Sequence, residues 1–484
     1  HQDHSIRFMK KLILLIAAAS CAGFASASVS LDSCRNMAVR NNKTVKSAEE
    51  TIRSAAYYKK AAQSAYLPGV DFTGTYIYNQ HGISLLGEDA KLPTMSFDPA
   101  TQTYQYNILK GPDGTPIKDP SSGSYIPTEV AVIPKEAMSF DTHNVFAGAI
   151  TLTQPVFMGG QIKALNEIAG YGENLAKAMR NSLTQTIVYA VDEAYWLVVS
   201  LKEKKKLAES FVNLVDTLRY DVQAMLDEGV ATRSDLLTVE VKLNEAKIAL
   251  TKVDNGLTLS RMALAQLCGL PVNTRMELED EQLRHAGSAT PPDMINMEDV
   301  YARRQDLEVI RQGINMLKGR ENLVKGEMLP KVALIGAYSF SNPNVIDGFE
   351  KRFGGGFSVG AAVTIPIWHW GGKMNRYKAA QAGTKAQRLL LEDTEEKVQL
   401  QVSQAQFSFD EAKKTYDMTV TNLSKADENL RQAELGFKEG VLTTNDVIGA
   451  QTAWLAANSE KIDAEIGIRL CQTYLSKVLG NLYY

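Results

Sequence analysis

Apolar residues recur at spacings of three and four through one long stretch of this chain. Leu175, Met179, Leu183, Ile187, Ala190, Ala194, Leu197 and Leu201 open the stripe, and Leu207, Phe211, Leu214, Leu218, Val222 and Met225 continue it. That spacing is the seam of a coiled coil. No proline interrupts residues 160–228, so the pattern predicts one helix of more than about sixty residues, which at 1.5 Å per residue runs for roughly 100 Å. A compact enzyme has little use for a helix of that length.

Elsewhere the period is two. Phe72, Gly74, Tyr76 and Tyr78 fall on one face of a strand and Asp71, Thr73 and Thr75 on the other; Val332, Leu334, Tyr338 and Phe340 repeat the pattern. Residues 146–154 and 357–365 alternate in the same way. Each strand has about ten residues, the length a tilted membrane strand needs. Alternation by itself fits a soluble sheet equally well. Aromatic residues at the strand ends, namely Tyr78, Phe340, Phe353, Trp368 and Trp370, suit the girdles of a membrane barrel.

The chain is written twice. Tyr66-Leu67-Pro68-Gly69-Val70 is echoed by Met328-Leu329-Pro330-Lys331-Val332, 262 residues later. Pro155-Val156-Phe157-Met158-Gly159-Gly160 is echoed by Pro366-Ile367-Trp368-His369-Trp370-Gly371-Gly372 with one residue added. Glu228-Gly229-Val230 through Asp235 matches Glu439-Gly440-Val441 through Asp446, and Gly269 matches Gly480, now 211 apart. The drop of 51 places extra residues of the first copy between its strands, in a Pro-, Gly-, Ser- and Tyr-rich segment at 80–143 that reads as a long surface loop. The predicted organisation is an upstream extension and signal peptide at 1–27, a first repeat at 28–270, a joining segment at 271–297 and a second repeat at 298–484. The first repeat has strands at about 68–79 and 144–155 and a helical hairpin at 160–268. In the second, strands are expected at about 331–341 and 357–367 and a hairpin at 372–479.

Met9-Lys10-Lys11, an apolar run at 12–19 and the small residues Ala25-Ser26-Ala27 form a secretory signal, with cleavage expected after Ala27. Cys21 follows Ala18-Ala19-Ser20, a poor lipoprotein box for want of a leucine three residues before it, and its lipidation stays open. Cys34, Cys268 and Cys471 are too few and too scattered for a disulfide framework and have no zinc-site spacing; buried free thiols are expected. Beyond the signal no run of eighteen apolar residues occurs, so any membrane span must be a closed β-barrel.

Charge excludes little else. With 52 basic and 55 acidic residues the net charge is -3, and no basic patch argues for nucleic acid. The six histidines are isolated, no serine nucleophile elbow occurs, and Gly354-Gly355-Gly356-Phe357 enters a strand where a phosphate loop would enter a helix. His369, between Trp368 and Trp370, reads as an interfacial residue. No catalytic residue, cofactor or metal is expected. A structural periplasmic coiled coil without transport is the alternative; it leaves four membrane-length strands without purpose and predicts extraction without detergent.

The Leu-Pro steps into the strands, the Pro-Val-Phe-Met-Gly-Gly and Pro-Ile-Trp-His-Trp-Gly-Gly exits, and the two Glu-Gly-Val turns, in this order and repeated, resemble the TolC-like outer-membrane factors over about residues 31–480. Four strands per chain cannot close a barrel. Two chains would give eight strands around a filled interior, whereas three give twelve around a lumen. The resemblance implies a mixed α and β fold: a homotrimeric twelve-stranded β-barrel in outer-membrane lipid, continued into the periplasm by an α-helical coiled-coil barrel, internally duplicated. It implies the exit channel of a tripartite efflux pump or type I secretion system, working with a periplasmic adaptor and an inner-membrane transporter. The loop at 80–143 would then cover the external mouth, and residues 271–297 would help form a belt. Cargo is not legible.

The same resemblance assigns site residues. Gly229-Val230-Ala231 and Gly440-Val441-Leu442 match the family's hairpin tips, which would dock the adaptor as well as turn the chain. Asp235 and Asp446 stand where the family narrows its periplasmic entrance with acidic residues. Thr232 with Asp235 and Thr443 with Asp446 also fit a capping box, and the two roles are compatible. Carboxylates converging in a trimer should repel and take up protons more readily. Phe437 and Leu442 stand where the family's type member has a tyrosine and an arginine, so the polar latch is absent and closure is expected to rest on apolar packing.

Overall fold

The computed structural model describes residues 28–280, 295–345, 348 and 350–482. The signal peptide, Cys21 and part of the joining segment lie outside the described residues. The chain divides into two compact units: a helical one (the chain up to Ala62, Ala164–Asn322 and Asn375–Tyr484) and a sheet-bearing one (Gln63–Lys163 and Leu323–Met374).

Eight helices make up most of the described chain: α1 (Leu31–Asn41), α2 (Lys43–Ser64), α3 (Gln161–Asp227), α4 (Arg233–Leu267), α5 (Met297–Arg303), α6 (Gln305–Gly326), α7 (Gly372–Lys438) and α8 (Thr444–Val478). The long helices α3 and α7 have 67 residues each, α4 and α8 have 35 each, and α2 and α6 have 22 each. Both long hairpins begin and end 211 residues apart, and α2 and α6 are 262 apart.

The seam of α3 differs from the sequence reading in its upper half. Thr184, Val188, Val191, Tyr195, Val198 and Val199 are buried, whereas Met179 and Leu197 are exposed and Leu183, Ile187 and Leu201 half-buried. A 3.6-residue period leaves two adjacent apolar stripes on this helix, and the one carrying the valines is turned into the core. Further along, Phe211, Leu218 and Val222 are buried as expected. One core joins α3 through Val191, Tyr195 and Val199 to Leu264 and Cys268 at the end of α4 and to Cys34 and Ala38 of α1. A second joins Phe211, Val215, Leu218 and Val222 of α3 to Leu236, Val239 and Leu243 of α4, with Phe437 and Val447 entering from the other hairpin. A third gathers Val300, Leu307, Val398, Val402, Leu475 and Leu479.

The second unit is built on four antiparallel strands, β1 (Gly69–Tyr78), β8 (Asn144–Met158), β9 (Lys331–Asn342) and β10 (Gly354–Thr364), hydrogen-bonded in the order β1-β8-β9-β10. β8 runs to Met158, past its predicted end, through a bulge between Pro155 and Phe157. β10 begins at Gly354, three residues earlier than predicted and ends at Thr364. Residues 80–143 are more ordered than a plain loop. They hold the short pairs β2 (Ile83–Ser84) with β7 (Ser139–Phe140), β3 (Ala90–Pro93) with β6 (Val130–Ile133), and β4 (Met95–Asp98) with β5 (Thr103–Tyr106). Bridges Ile108–Pro127 and Lys118–Tyr125 extend the nested ladder.

Candidate functional site: the sheet faces and the hairpin tips

Register separates the sheet into two chemically different faces. Phe72, Ile150, Tyr338 and Phe357 lie in one row, Val70, Leu152, Gly336 and Val359 in the next, and Tyr76 opposes Phe146 beyond them. The intervening residues point the other way. They form rows such as Asp71, Thr151, Ala337 and Ser358, and Thr73, Ala149, Ser339 and Gly356, with Ile77, Val145 and Ile335 as the larger apolar members. One face is therefore aromatic and aliphatic, the other small and polar. The outer strands β1 and β10 each pair on one side only. Unpaired edges of this length are templates for another strand.

Tyr78 ends β1 on the aromatic face and is exposed. Phe340 is half-buried: its ring lies over Gly148, where an added Cβ would come within 2.5 Å of it, and stacks with Phe72 at a centroid distance of 6.4 Å. It lies two residues before the end of β9, opposite Gly355. Trp368 and Trp370 follow β10, edge to face at 5.7 Å, and Trp370 is 88% exposed.

The tips of the two helical hairpins share one construction. Gly229 (φ 74°) and Gly440 (φ 70°) take the left-handed conformation that L-residues avoid. At the first tip the Gly229 amide donates to the Leu226 carbonyl (3.0 Å) and the Val230 amide to Met225 (2.7 Å). At the second, Gly440 donates to Phe437 (3.0 Å) and Val441 to Gly436 (2.7 Å). This pair of bonds satisfies the orphan carbonyls of a helix end. Val230 and Val441 are left 71% and 78% exposed, Leu442 lies against Gly436, and Ala231 packs on the core below the first tip.

Both returning helices start with a complete capping box. The Asp235 amide donates to Thr232 Oγ1 (3.2 Å) while Asp235 Oδ2 accepts from the Thr232 amide (2.9 Å); Thr443 and Asp446 repeat this at 3.3 and 2.8 Å. The Thr232 and Thr443 hydroxyls also donate to these carboxylates, at 2.6 and 2.7 Å. These hydrogen bonds hold both carboxyls below the usual aspartate range. Within one chain the direction is thus opposite to the one expected from carboxylates converging in an assembly. Phe437 is only 6% exposed and packs among the apolar residues of the first hairpin.

Sequence reasoning missed the polar core beside α1. Arg35, on α1, forks onto the fully buried Asp192 of α3, with Nε donating to Oδ1 (2.6 Å) and Nη2 to Oδ2 (2.5 Å). Tyr195 donates its hydroxyl to Asp280 at 2.8 Å. The partners are separated by 157 and 85 residues, and no local pattern links them. Among the described residues no helix is long and apolar enough to cross a membrane, and no cluster of His, Cys, Asp and Glu could hold a metal ion.

The family model for outer membrane efflux proteins matches residues 123–270 and 296–481. The chain belongs to the outer membrane efflux protein family. Solved structures of this kind share its fold. CusC, whose structure concerns folding and transmembrane channel formation, is 14% identical with a TM-score of 0.71, covering 95% of this chain and 94% of its own. The outer-membrane channel OprN is 16% identical (TM-score 0.69; 93% and 90% covered), and VceC, an outer membrane protein of Vibrio cholerae, is 12% identical (0.67; 93% and 96%). No curated protein sequence matches the chain significantly. This efflux protein therefore has the mixed helix and strand fold of the outer-membrane factor channels.

Proposed function

We propose that three copies of this chain pool their four-stranded sheets into one twelve-stranded barrel and act as the outer-membrane exit channel of a tripartite efflux pump or type I secretion system. The observation that carries this reading is the sheet: an aromatic and aliphatic face suited to lipid, a small polar face suited to a water-filled lumen, and two unpaired edges. In hydrocarbon an unpaired backbone group costs several kcal/mol, so the edges of such a sheet must close. Strand β1 of one copy meets β10 of the next, and three copies are the fewest that leave a lumen. Tyr78, Phe340, Trp368 and Trp370 anchor the barrel at its interfaces, where aromatic rings are favoured.

The helical units form a coiled-coil conduit in the periplasm. Two copies of one ancestral unit account for the paired helix lengths and for a shared packing detail: Gly269 abuts Asn41 while Gly480 abuts Arg303, partners again 211 and 262 residues apart. The exposed apolar residues Val230, Val441 and Leu442, with the half-buried Ala231 beneath the first tip, dock a periplasmic adaptor, which links the channel to an inner-membrane transporter. Asp235 and Asp446 cap their helices and, repeated in three protomers, line an acidic entrance. Phe437 holds that entrance from behind, by packing the second hairpin against the first.

Fractionation of cells and light-scattering mass in detergent test the assembly. A trimer recovered with the outer membrane is expected; a monomer extractable without detergent would overturn the proposal.

A further inference from the structure

Cys34 and Cys268 are 234 residues apart in sequence and meet in one core. Cys34 lies in α1, and Cys268 caps the end of α4. The Cys268 thiol donates to the Cys34 carbonyl oxygen at 3.6 Å, and neither residue has any exposed surface. The surrounding backbone fixes this approach from both sides. Asn42 Nδ2 donates to the Leu267 carbonyl at 2.9 Å, and Gly269 (φ 71°) lies so close to Asn41 that an added Cβ would stand 2.5 Å from its carbonyl carbon. Nearer the N-terminus, the Val29 amide donates to the Glu277 carbonyl at 2.7 Å.

We propose that Cys34 and Cys268 are joined by a disulfide that staples α1 to the end of the first hairpin in the exported protein. The proposal rests on the outer-membrane reading above, because only an exported chain folds where disulfides persist. Packing alone does not call for sulfur here. In the second hairpin Leu479 stands 211 residues after Cys268, buried beside Gly480 in its own apolar core. Cysteines therefore add something that a leucine at the matching place does not.

The chemistry is thiol–disulfide exchange with a disulfide oxidant, either a small molecule or a periplasmic oxidoreductase. The neighbouring Cys268 and burial raise the proton affinity of Cys34, whereas Cys34 lowers that of Cys268. Cys268 is thus the attacking thiolate. It forms a mixed disulfide and expels one thiol of the oxidant; Cys34, on losing its proton, attacks the Cys268 sulfur and expels the second. Two protons and two electrons leave the pair, and the oxidant's disulfide becomes two thiols. Because both residues are enclosed in the folded chain, closure accompanies folding and the finished bond is sheltered from reductant. Cys471, half-buried on α8, is the control thiol.

The test is differential alkylation with peptide mass mapping. Outer-membrane fractions are denatured in N-ethylmaleimide, then reduced and labelled with its deuterated form. Expected are deuterated labels on Cys34 and Cys268, a joined peptide before reduction, an ordinary label on Cys471, and an ordinary label on Cys34 in Cys268→Ser. Ordinary labels on both residues of the wild-type protein in that fraction would overturn the disulfide while leaving the channel reading intact. Absence from the outer membrane would instead sink the channel reading. The pairing is then judged by refolding the purified, reduced chain in the presence of diamide: joining of Cys34 to Cys268 upholds the juxtaposition, and its failure in chain that refolds removes it.

Discussion

Replacing both tip glycines with leucine separates docking from folding. Gly229 and Gly440 are left-handed, and an added Cβ at either would meet no heavy atom within 4 Å. The cost in the free channel is therefore backbone strain alone, about 1–2 kcal/mol per site for an L-residue in this conformation. An adaptor seated tip to tip would meet two new bulky side chains at its centre. A central interface residue is commonly worth about 2 kcal/mol, or roughly thirtyfold in affinity. The assay compares trimer abundance in the outer membrane, on unheated gels, with efflux in cells carrying the cognate adaptor and transporter. Gly229→Leu with Gly440→Leu should keep most trimers and lose efflux. Gly229→Asn with Gly440→Asn, which tolerates the left-handed backbone, should keep trimers and retain more efflux. Gly269→Leu, whose side chain would overlap Asn41, should lose the trimer itself. Unchanged efflux in the double leucine variant would refute tip docking.

Three further predictions concern charge and faces. Asp235→Asn with Asp446→Asn should weaken cation preference and multivalent-cation block in bilayers. Because capping lowers both folded carboxyl pKa values, its support should be complete above the unfolded value of about 4 and be lost as pH falls through the folded value, read by amide exchange at the starts of α4 and α8. Arg35→Ala strands the buried Asp192 and should cost about 3–5 kcal/mol. Over 484 residues, at about 2.1 cal/mol/K each, that lowers the apparent Tm by roughly 3–5 °C. Burial already raises Asp192 despite Arg35, so in this variant the protonated form is favoured further and the deficit should shrink as pH falls; a pH-independent deficit would count against the assignment. Phe357→Arg should reduce barrel assembly, by about 2–4 kcal/mol if it faces mid-bilayer lipid, whereas Ser358→Arg, on the opposite face, should assemble and alter conductance; equal assembly of the two would contradict the assignment of faces.

The fold was legible where chemistry is local. Alternation located β1, β8, β9 and β10, and unbroken apolar spacing located the long helices, because both patterns report a neighbour's face at a fixed stride. Gly229, Gly440 and the Thr-x-x-Asp pairs marked the tips for the same reason: each motif closes within six residues. The ladder within 80–143 was hidden because its strands are two to four residues long, too short for a period to show. The seam of α3 was misplaced because two apolar stripes lie side by side, and only packing chooses between them. Phe437 entering the first hairpin's core, Arg35 on Asp192, and Cys34 beside Cys268 are contacts across the chain that no local spacing encodes.

The central claim is that this chain forms a water-filled pore across the outer membrane. The most direct measurement is single-channel recording of the purified protein in planar bilayers, with wild type beside Ser358→Arg. Discrete, cation-preferring conductance steps that the arginine alters are predicted. A protein that inserts but passes no current, or a current indifferent to Ser358, would contradict the account.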